Sequence, residues 1–283
     1  MRKKISKVYI SADMEGISGI VDMDDAQPMG RDYQQGRKFM TDDVNAAVRG
    51  ALVGGAKEIV VNDAHGPMRN ILPEQLHEKA SLIRGKAKPM GMLEGLDKTF
   101  DAIICIGFHA RAGENGVLSH SFMGHEVEDI WLNGRQVGEI GLLYAAAQET
   151  NVPVVMLTGD NIACKEIEQW DATVQTVSVK ESIDRFAANL LSIEEAVSKI
   201  EATAKAAVIR EKQGDKNPYI NKVSTLKIRW QSASVASHLT GIPGVTLYDV
   251  RTVEVKGTVT ELYRLLFVFF KVAASMTNQQ PYC

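Results

Sequence analysis

Short runs of β-branched and apolar residues alternate with longer helical patterns through most of the chain before residue 170. This alternation is typical of βαβ units, in which helices connect parallel strands and cover both faces of the sheet. The strand runs are apolar at successive positions, as expected of parallel strands that are buried on both sides. The predicted strands are residues 7–11, 58–62, 80–83, 102–106 and 153–157. The sequence therefore predicts an α/β fold with three layers around a mainly parallel sheet.

Two helices and a hairpin are predicted between these strands. Residues 42–52 carry alanine and leucine at helical spacing and end at a Gly-Gly pair, and residues 138–150 show a similar helical pattern. Residues 130–137 contain Asn133-Gly134, a dipeptide that favours a type I′ turn. We therefore expect a β-hairpin before the second helix.

The pattern changes after about residue 170. A strand-like run at 174–179 precedes a long amphipathic helix at 192–211, and shorter strands and helices follow. We expect residues 1–180 to form the large α/β domain and residues 181–283 to form a second, smaller α+β domain. Because no Gly/Ser/Pro-rich linker separates them, a packed interface is favoured over a flexible tether.

Charge, cysteine content and hydropathy exclude several classes of protein. The 32 basic and 35 acidic residues give a formal net charge of −3, so no basic excess is available for a nucleic-acid backbone. Three cysteines without CxxC spacing favour neither a disulfide framework nor a zinc knuckle. The most apolar segment, 262–276, contains two basic residues and is shorter than the roughly 20 residues that span a bilayer. Since no signal-peptide pattern follows Met1, we expect a cytoplasmic protein that binds neither nucleic acid nor membrane.

Carboxylates and histidines follow the predicted strands directly. Asp13 and Glu15 follow the first strand, His65 the second and His109 the fourth, while Glu139 begins the helix at 138–150. In open α/β sheets, ligands bind beyond the carboxyl ends of the strands. We therefore expect these five side chains to converge on one small volume.

This set of residues predicts a metal site. Three carboxylates at one sheet edge repel each other by several kcal/mol at low effective dielectric, and divalent cations offset that repulsion while neutral imidazoles complete the ligand shell. Mixed histidine and carboxylate ligation favours zinc, with manganese and cobalt as alternatives. A bridging carboxylate would support two ions that share an activated water, which is chemistry used in hydrolysis.

Two further histidines lie in a glycine-rich loop after the fourth predicted strand. His120 follows Leu118-Ser119 and is a candidate proton donor to a reacting group, and His125 is a weaker candidate. A loop histidine without a catalytic role is the alternative for both.

Nucleotide binding and cysteine catalysis are both disfavoured. The glycines at 16 and 19 lack the full GxGxxG spacing, and the neighbouring Asp13 and Glu15 would repel a phosphate. Cys105 lies inside an apolar strand, where packing is its expected role.

Six segments match a known family and occur in family order over most of the chain. They are SADMEG at 11–16, NDAHG at 62–66, GFHA at 107–110, His120, Asn133-Gly134 and GEIG at 138–141. Together they resemble the zinc-dependent D-aminopeptidases, peptidase family M55.

The resemblance implies two Zn²⁺ ions per subunit. Asp13 would bridge both ions, with Glu15 and His109 completing one site and His65 and Glu139 the other. The implied reaction removes the N-terminal residue from short peptides, such as the D-amino-acid peptide D-Ala-D-Ala, with a zinc-activated water as the nucleophile.

The resemblance also implies a role for His120 and an assembly. His120 matches the position that the family treats as catalytic, where it would move a proton or stabilise the oxyanion. The family's subunits form a homodecamer of two stacked pentameric rings, which encloses the active sites in a chamber. Two alternatives remain open on the residues: a dinuclear amidase or phosphoesterase acting on another small molecule, and a peptide-binding module with a structural metal.

Overall fold

The computed structural model of the protein describes residues 4–209 and 223–277. The strands are β1 (Lys7–Ala12), β2 (Glu58–Asp63), β3 (Ala80–Ile83), β4 (Ala102–Phe108), β5 (Val127–Leu132), β6 (Arg135–Gln136), β7 (Val154–Asp160), β8 (Gln175–Asp184), β9 (Ala187–Leu190), β10 (Ser224–Trp230), β11 (Thr246–Asp249) and β12 (Thr252–Gly257). The helices are α1 (Met23–Ala26), α2 (Tyr33–Gly54), α3 (Glu139–Glu149), α4 (Asn161–Glu168), α5 (Ile193–Ile209), α6 (Ala233–Leu239) and α7 (Val259–Thr277), with a 3₁₀ turn at Gly91–Leu93.

The larger sheet has seven strands in the order β3-β2-β1-β4-β7-β8-β9. All neighbouring pairs are parallel except β8 and β9, so the predicted α/β fold around a mainly parallel sheet is confirmed. The chain winds outwards in both directions from the β1/β4 pair. In sheets of this kind, that switch point is where ligands bind.

Alternate residues of β1 point into two different cores. Val8 and Ile10 pack with α2 and α5 on one face of the sheet, whereas Tyr9 belongs to the core on the opposite face. That second core also contains α3, α7 and the inner face of a second sheet. The central strands are therefore covered on both sides, which explains their continuous apolar sequence.

The second sheet is antiparallel and has the order β11-β12-β10-β5-β6. The predicted hairpin is confirmed as β5 and β6, with Asn133 at φ 53° and Gly134 at φ 85°, as a type I′ turn requires. Ile130 and Leu132 of β5 pair with Ile228 and Leu226 of β10, nearly 100 residues away in the chain.

The two sheets do not divide the chain at residue 180, where we expected the domain boundary. Residue 180 lies within β8 of the large sheet, α5 packs against α2, and β5 and β6 join the strands that follow residue 223. The reason is that β5, whose alternate apolar residues are buried, pairs with β10 in the antiparallel sheet. The predicted helix at 192–211 is α5, and its last two residues lie outside the described residues.

The apolar C-terminal segment forms α7, as expected. Its buried face packs into the core between the two sheets and comprises Val259, Leu262, Tyr263, Leu266, Phe269 and Ala273. Among the residues that the structure describes, no helix is long and apolar enough to cross a membrane.

Candidate metal centre

The loop after β1 is pressed against the end of β4. Asp13 N donates to Ile106 O at 2.8 Å, and Gly16 N donates to Gly107 O at 2.8 Å. A Cβ atom at residue 16 would lie 2.0 Å from Phe108 O, and one at residue 107 would lie 2.5 Å from Asp13 O. Glycine at both positions lets the two backbones touch, and the contact fixes where Asp13 and Glu15 point.

A buried lysine on β8 holds the same loop from the other side. Lys180 Nζ donates to Glu15 O at 2.7 Å and to Ile17 O at 2.9 Å, and it also bonds Ile20 O. The side chain is 1% exposed, and this burial lowers the pKa of Lys180 to about 8, although the charge of Asp160 opposes the shift. Three carbonyl oxygens of the loop that follows β1 thus depend on one ammonium group.

We expect Lys180→Met to lower the free energy of unfolding by roughly 3 kcal/mol, because buried carbonyls would lose their donor. Chemical denaturation of the variant beside the native protein measures the difference. Lys165→Met, at a lysine that is exposed on α4, is the control and should change stability by less than about 0.5 kcal/mol. Equal stability of Lys180→Met and the native protein would contradict this role.

The segment after β2 is fixed by Asp63 and Lys88. The Asp63 carboxylate accepts hydrogen bonds from Asn70 N, Asn70 Nδ2 and Ile71 N at 2.6–2.8 Å. Lys88 Nζ donates to Asn62 Oδ1 and Asp63 O, each at 2.7 Å. Asp63 therefore holds the loop that carries His65, and its own oxygens are satisfied by that loop.

His65 faces two carboxylates. Its Nε2 lies 2.9 Å from Ala26 O, which can only accept, so Nε2 carries a proton. Its Nδ1 lies 3.2 Å from Asp13 Oδ1 and 2.9 Å from Glu15 Oε2. In the neutral ring, the Nδ1 lone pair points at these acidic oxygens.

His109 repeats the arrangement on the other side of Asp13. Its Nδ1 lies 2.9 Å from Ala110 O, which places the proton on Nδ1. Its Nε2 lies 3.2 Å from Glu139 Oε1 and 3.5 Å from Asp13 Oδ2. Asp13 therefore directs one oxygen towards each histidine.

The charges in this cluster need a positive partner. Burial opposes ionisation of both rings, yet carboxylates led by Glu15 at His65 and Glu139 at His109 hold both histidine pKa values well above the usual range. Burial, together with the Glu15 charge, raises the pKa of Asp13 to about 7. Protons or metal cations must supply the compensating charge.

The residues present fit metal ions. Asp13 Oδ2 and His109 Nε2 are buried without a hydrogen-bond partner, although both groups usually find one. The carbonyl oxygens of Ala26 and Ala110 already fix the tautomers of His65 and His109, as carbonyl acceptors do for histidines that bind metals. Ligand atoms within 4.8 Å of one another form three groups, namely Asp13/Glu15/His65, Asp13/His109/Glu139 and Glu15/His109/His120.

All five predicted ligands thus lie in one cluster, with Asp13 shared. The closest contacts pair Glu15 with His65 and Glu139 with His109, which differs from the pairing implied by the resemblance. Glu15 also groups with His109 in the third set, so it lies between the two histidines.

His120 lies beside the cluster without an ion-pair contact as short as those of the other two rings. Its ring stacks on His109 with centroids 4.1 Å apart and an interplanar angle of 11°. Its Nδ1 donates to Leu118 O at 2.9 Å, and its Nε2 lies 3.9 Å from Glu15 Oε1 and 3.8 Å from Glu139 Oε1. Burial and the neighbouring His109 lower the pKa of His120. The second loop candidate, His125, lines the same cavity but belongs to none of the three groups.

The cluster lines a cavity of about 570 Å³, a volume typical of small-molecule sites. Phe122, Phe267 and Phe270 contribute an aromatic wall, and Lys86 and Lys271 also line the cavity. Sequence reasoning missed the contribution of α7. The available signal was a second face of this helix, on which apolar and basic residues recur at spacings of three and four.

The expectation for cysteine agrees with the structure. Cys105 is buried in β4 and Cys164 in α4, and burial raises the pKa of both thiols. A thiolate nucleophile is not available at either position.

Comparison with known proteins identifies the family. The model of the family described as D-aminopeptidase matches residues 6–268. A D-aminopeptidase from Bacillus subtilis (strain 168) is 44% identical over 186 residues, which cover 66% of this chain and 68% of that protein.

A solved structure gives the same result for the fold. The Zn-dependent D-aminopeptidase DppA from Bacillus subtilis, described as a self-compartmentalizing protease, superposes with a TM-score of 0.89 at 33% identity. The match covers 98% of this chain and 100% of that chain. The fold and the resemblance that the sequence motifs indicated are thereby confirmed, and the chain belongs to the D-aminopeptidase family.

Proposed function

We propose that this protein is a dinuclear zinc aminopeptidase that removes the N-terminal residue from short D-amino-acid peptides such as D-Ala-D-Ala. Its ligands are Asp13, Glu15, His65, His109 and Glu139, with Asp13 shared by two ions. The observation that carries the proposal is the orientation of His65 and His109. Each ring is tied to a carbonyl by its outer nitrogen and turns its inner nitrogen towards buried carboxylates.

Zinc bound at this site would polarise the substrate carbonyl and lower the pKa of a water nucleophile to near 7. The protein supplies the remaining steps. Glu139 is held in place by Phe122 N, which donates to its Oε1 at 2.7 Å. His120 stands next to these residues with Nε2 unprotonated, because Nδ1 carries the ring proton, so Nε2 takes a proton from the attacking water and passes it to the leaving amine. Carboxylates that hold a cation are weaker bases, which leaves this task to His120.

The oligomeric state belongs to the same proposal. We expect a cytoplasmic homodecamer of two pentameric rings that encloses the cavities and limits access to short peptides. Two observations support self-assembly: the whole-chain similarity to a self-compartmentalizing protease, and apolar side chains exposed on two hairpins. These side chains are Ile183 near the end of β8, Phe186 in the turn before β9, Leu247 and Tyr248 in β11, and Val250 in the turn before β12.

The test is metal analysis of freshly purified protein, followed by hydrolysis of D-Ala-D-Ala, L-Ala-L-Ala and a phosphoester with and without a chelator. We expect about two zinc ions per subunit, release of D-alanine that the chelator abolishes and added zinc restores, and no phosphoester cleavage. Metal-dependent phosphoester cleavage without peptide cleavage would favour the phosphoesterase alternative. Stoichiometric zinc without any hydrolysis would favour a binding module.

A further inference from the structure

Two exposed lysines line the cavity of the candidate metal centre. Lys86, in the loop between β3 and β4, and Lys271, on α7, both line the cavity that contains Asp13 and Glu139. Within residues 4–209 and 223–277, neither lysine forms an ion pair with a carboxylate. Partial burial and, to a smaller extent, the charge of Lys271 lower the pKa of Lys86, and both side chains line the same cavity.

A third lysine of the cavity is already occupied. Lys88 Nζ donates to Asn62 Oδ1, Asp63 O and Ile83 O, so its hydrogen bonds are already made within the protein. In the part of the chain that the structure describes, Lys86 and Lys271 have no comparable acceptors. Two like charges that share a cavity without an anion are unfavourable, and an anionic ligand would relieve the repulsion.

The helix α7 places Lys271 beside an apolar wall. Phe267, Phe270, Lys271 and Ala274 follow one another at spacings of three, one and three, so they share one face of the helix, and all four line the cavity. Phe270 packs on Phe122, with ring centroids 4.8 Å apart. The wall is thus apolar with a cationic group next to it.

The cavity lining therefore combines two kinds of group, namely the candidate metal ligands and two ammonium groups that have no acidic partner among the described residues. A short peptide with free ends has matching chemistry, since its first carbonyl needs the metal and its C-terminus is a carboxylate. A dipeptide spans at most about 7 Å, so both ends fit within one cavity of about 570 Å³.

We propose that Lys86 and Lys271 form a subsite for the C-terminal carboxylate of the substrate, which makes the protein selective for very short peptides with a free C-terminus. This inference rests on the proposed aminopeptidase function and adds its substrate class. Charge-assisted bonds from two ammonium groups would bind the carboxylate, while Phe267 and Phe270 contact the last side chain.

The test compares D-Ala-D-Ala with its C-terminal amide, which lacks the charge but keeps the scissile bond. We expect the zinc-loaded native protein to prefer the acid by at least about tenfold in kcat/KM. The double variant Lys86→Met/Lys271→Met should lose roughly ten- to hundredfold in kcat/KM on the acid, mainly through KM, and less than about twofold on the amide. Lys256→Met, at an exposed lysine of β12 outside the cavity, is the matched control and should change neither substrate.

Charge reversal gives a second measurement. Lys271→Glu should favour the amide over the acid, whereas Lys271→Arg should retain the native preference. Equal losses on both substrates, or none, in the double variant would overturn the subsite while leaving the aminopeptidase in place. If the native protein cleaves neither peptide, the proposed function fails, and calorimetric binding of the same two compounds then decides the subsite. If the native protein binds the acid more tightly than the amide and the double variant loses this preference, the subsite is supported. Equal binding of the acid and the amide by the native protein overturns the subsite.

Discussion

Asp13→Asn is expected to lose most of the bound zinc and at least about a thousandfold in kcat on D-Ala-D-Ala. Asp13 directs Oδ1 towards His65 and Oδ2 towards His109, and for this reason we propose it as the ligand that two ions share. An amide offers a single acceptor oxygen and places an NH₂ group where the second cation would lie. Metal-supplied stabilisation of the transition state is worth several kcal/mol, and about 4 kcal/mol corresponds to three orders of magnitude in rate.

The fold should survive this change. The pKa of Asp13 is raised to about 7 by burial and by Glu15, so without metal the neutral form of the side chain is readily populated, and asparagine has nearly the same shape. We therefore expect the zinc-free variant to unfold at a temperature close to that of the zinc-free native protein. Asp42→Asn on α2, outside the cavity, makes the same chemical change and should retain both zinc and activity. Native-like zinc content in Asp13→Asn would show that Asp13 is not the shared ligand.

The clustering of the five candidate ligands could be predicted because the position of each follows from local sequence. Asp13, Glu15, His65 and His109 come directly after apolar strand segments, and the ends of parallel strands must meet at one edge of the sheet. No long-range information is needed beyond the alternation of strands and helices. Glu139 follows from the same logic, since it stands in the first turn of α3.

The pairing of the second sheet could not be predicted in the same way. The apolar residues of β5 mark it as a half-buried strand, but they do not say which strand covers it. Its partner β10 begins beyond residue 223, and three strands of the large sheet, β7, β8 and β9, lie between the two in the chain. The boundary expected at residue 180 assumes that segments close in the chain belong to one domain, whereas β5 pairs with β10, a strand that is distant in the chain.

Helix α2 shows a further limit of local patterns. It begins at Tyr33, well before the predicted start at residue 42. Gly36 disfavours a helix in isolation. In the structure, a Cβ atom at this position would lie 2.1 Å from Asp25 O, so glycine allows the first turn to pack against α1. Tertiary contact overrides intrinsic preference here.

The supporting lysines were also outside the reach of sequence reasoning. Lys180 lies in β8, where a basic residue suggests an exposed edge, yet its Nζ lies under the loop that carries Glu15. Lys271 interrupts an apolar segment, which argued against a membrane span but did not reveal which face would line the cavity. The positions of the Lys180 and Lys271 side chains depend on how elements distant in the chain pack together, and the hydrophobic pattern of a single strand or helix does not predict that packing.

His120→Ala is expected to keep about two zinc ions and to lose roughly 10²- to 10⁴-fold in kcat on D-Ala-D-Ala, the usual range for a general acid or base. Its Nε2 is farther from the carboxylates than the inner nitrogens of His65 and His109 are from their closest carboxylates. We therefore expect the ring to act on the substrate and not to be needed for zinc binding. Metal analysis and steady-state kinetics on the same preparation separate these roles.

Leaving-group dependence tests the assigned proton transfer to the amine. If His120 protonates that amine, the variant's defect should shrink by at least about tenfold on D-alanine p-nitroanilide, whose leaving group needs less help from an acid. An equal defect on both substrates would instead assign His120 to oxyanion stabilisation. His238→Ala, at a histidine of α6 whose ring bonds Ser234 O outside the cavity, is the control and should retain native kinetics. Near-native kcat in His120→Ala would remove His120 from the reaction altogether. A ring that only stacks on His109 does not predict unchanged zinc content together with a loss of rate that depends on the leaving group.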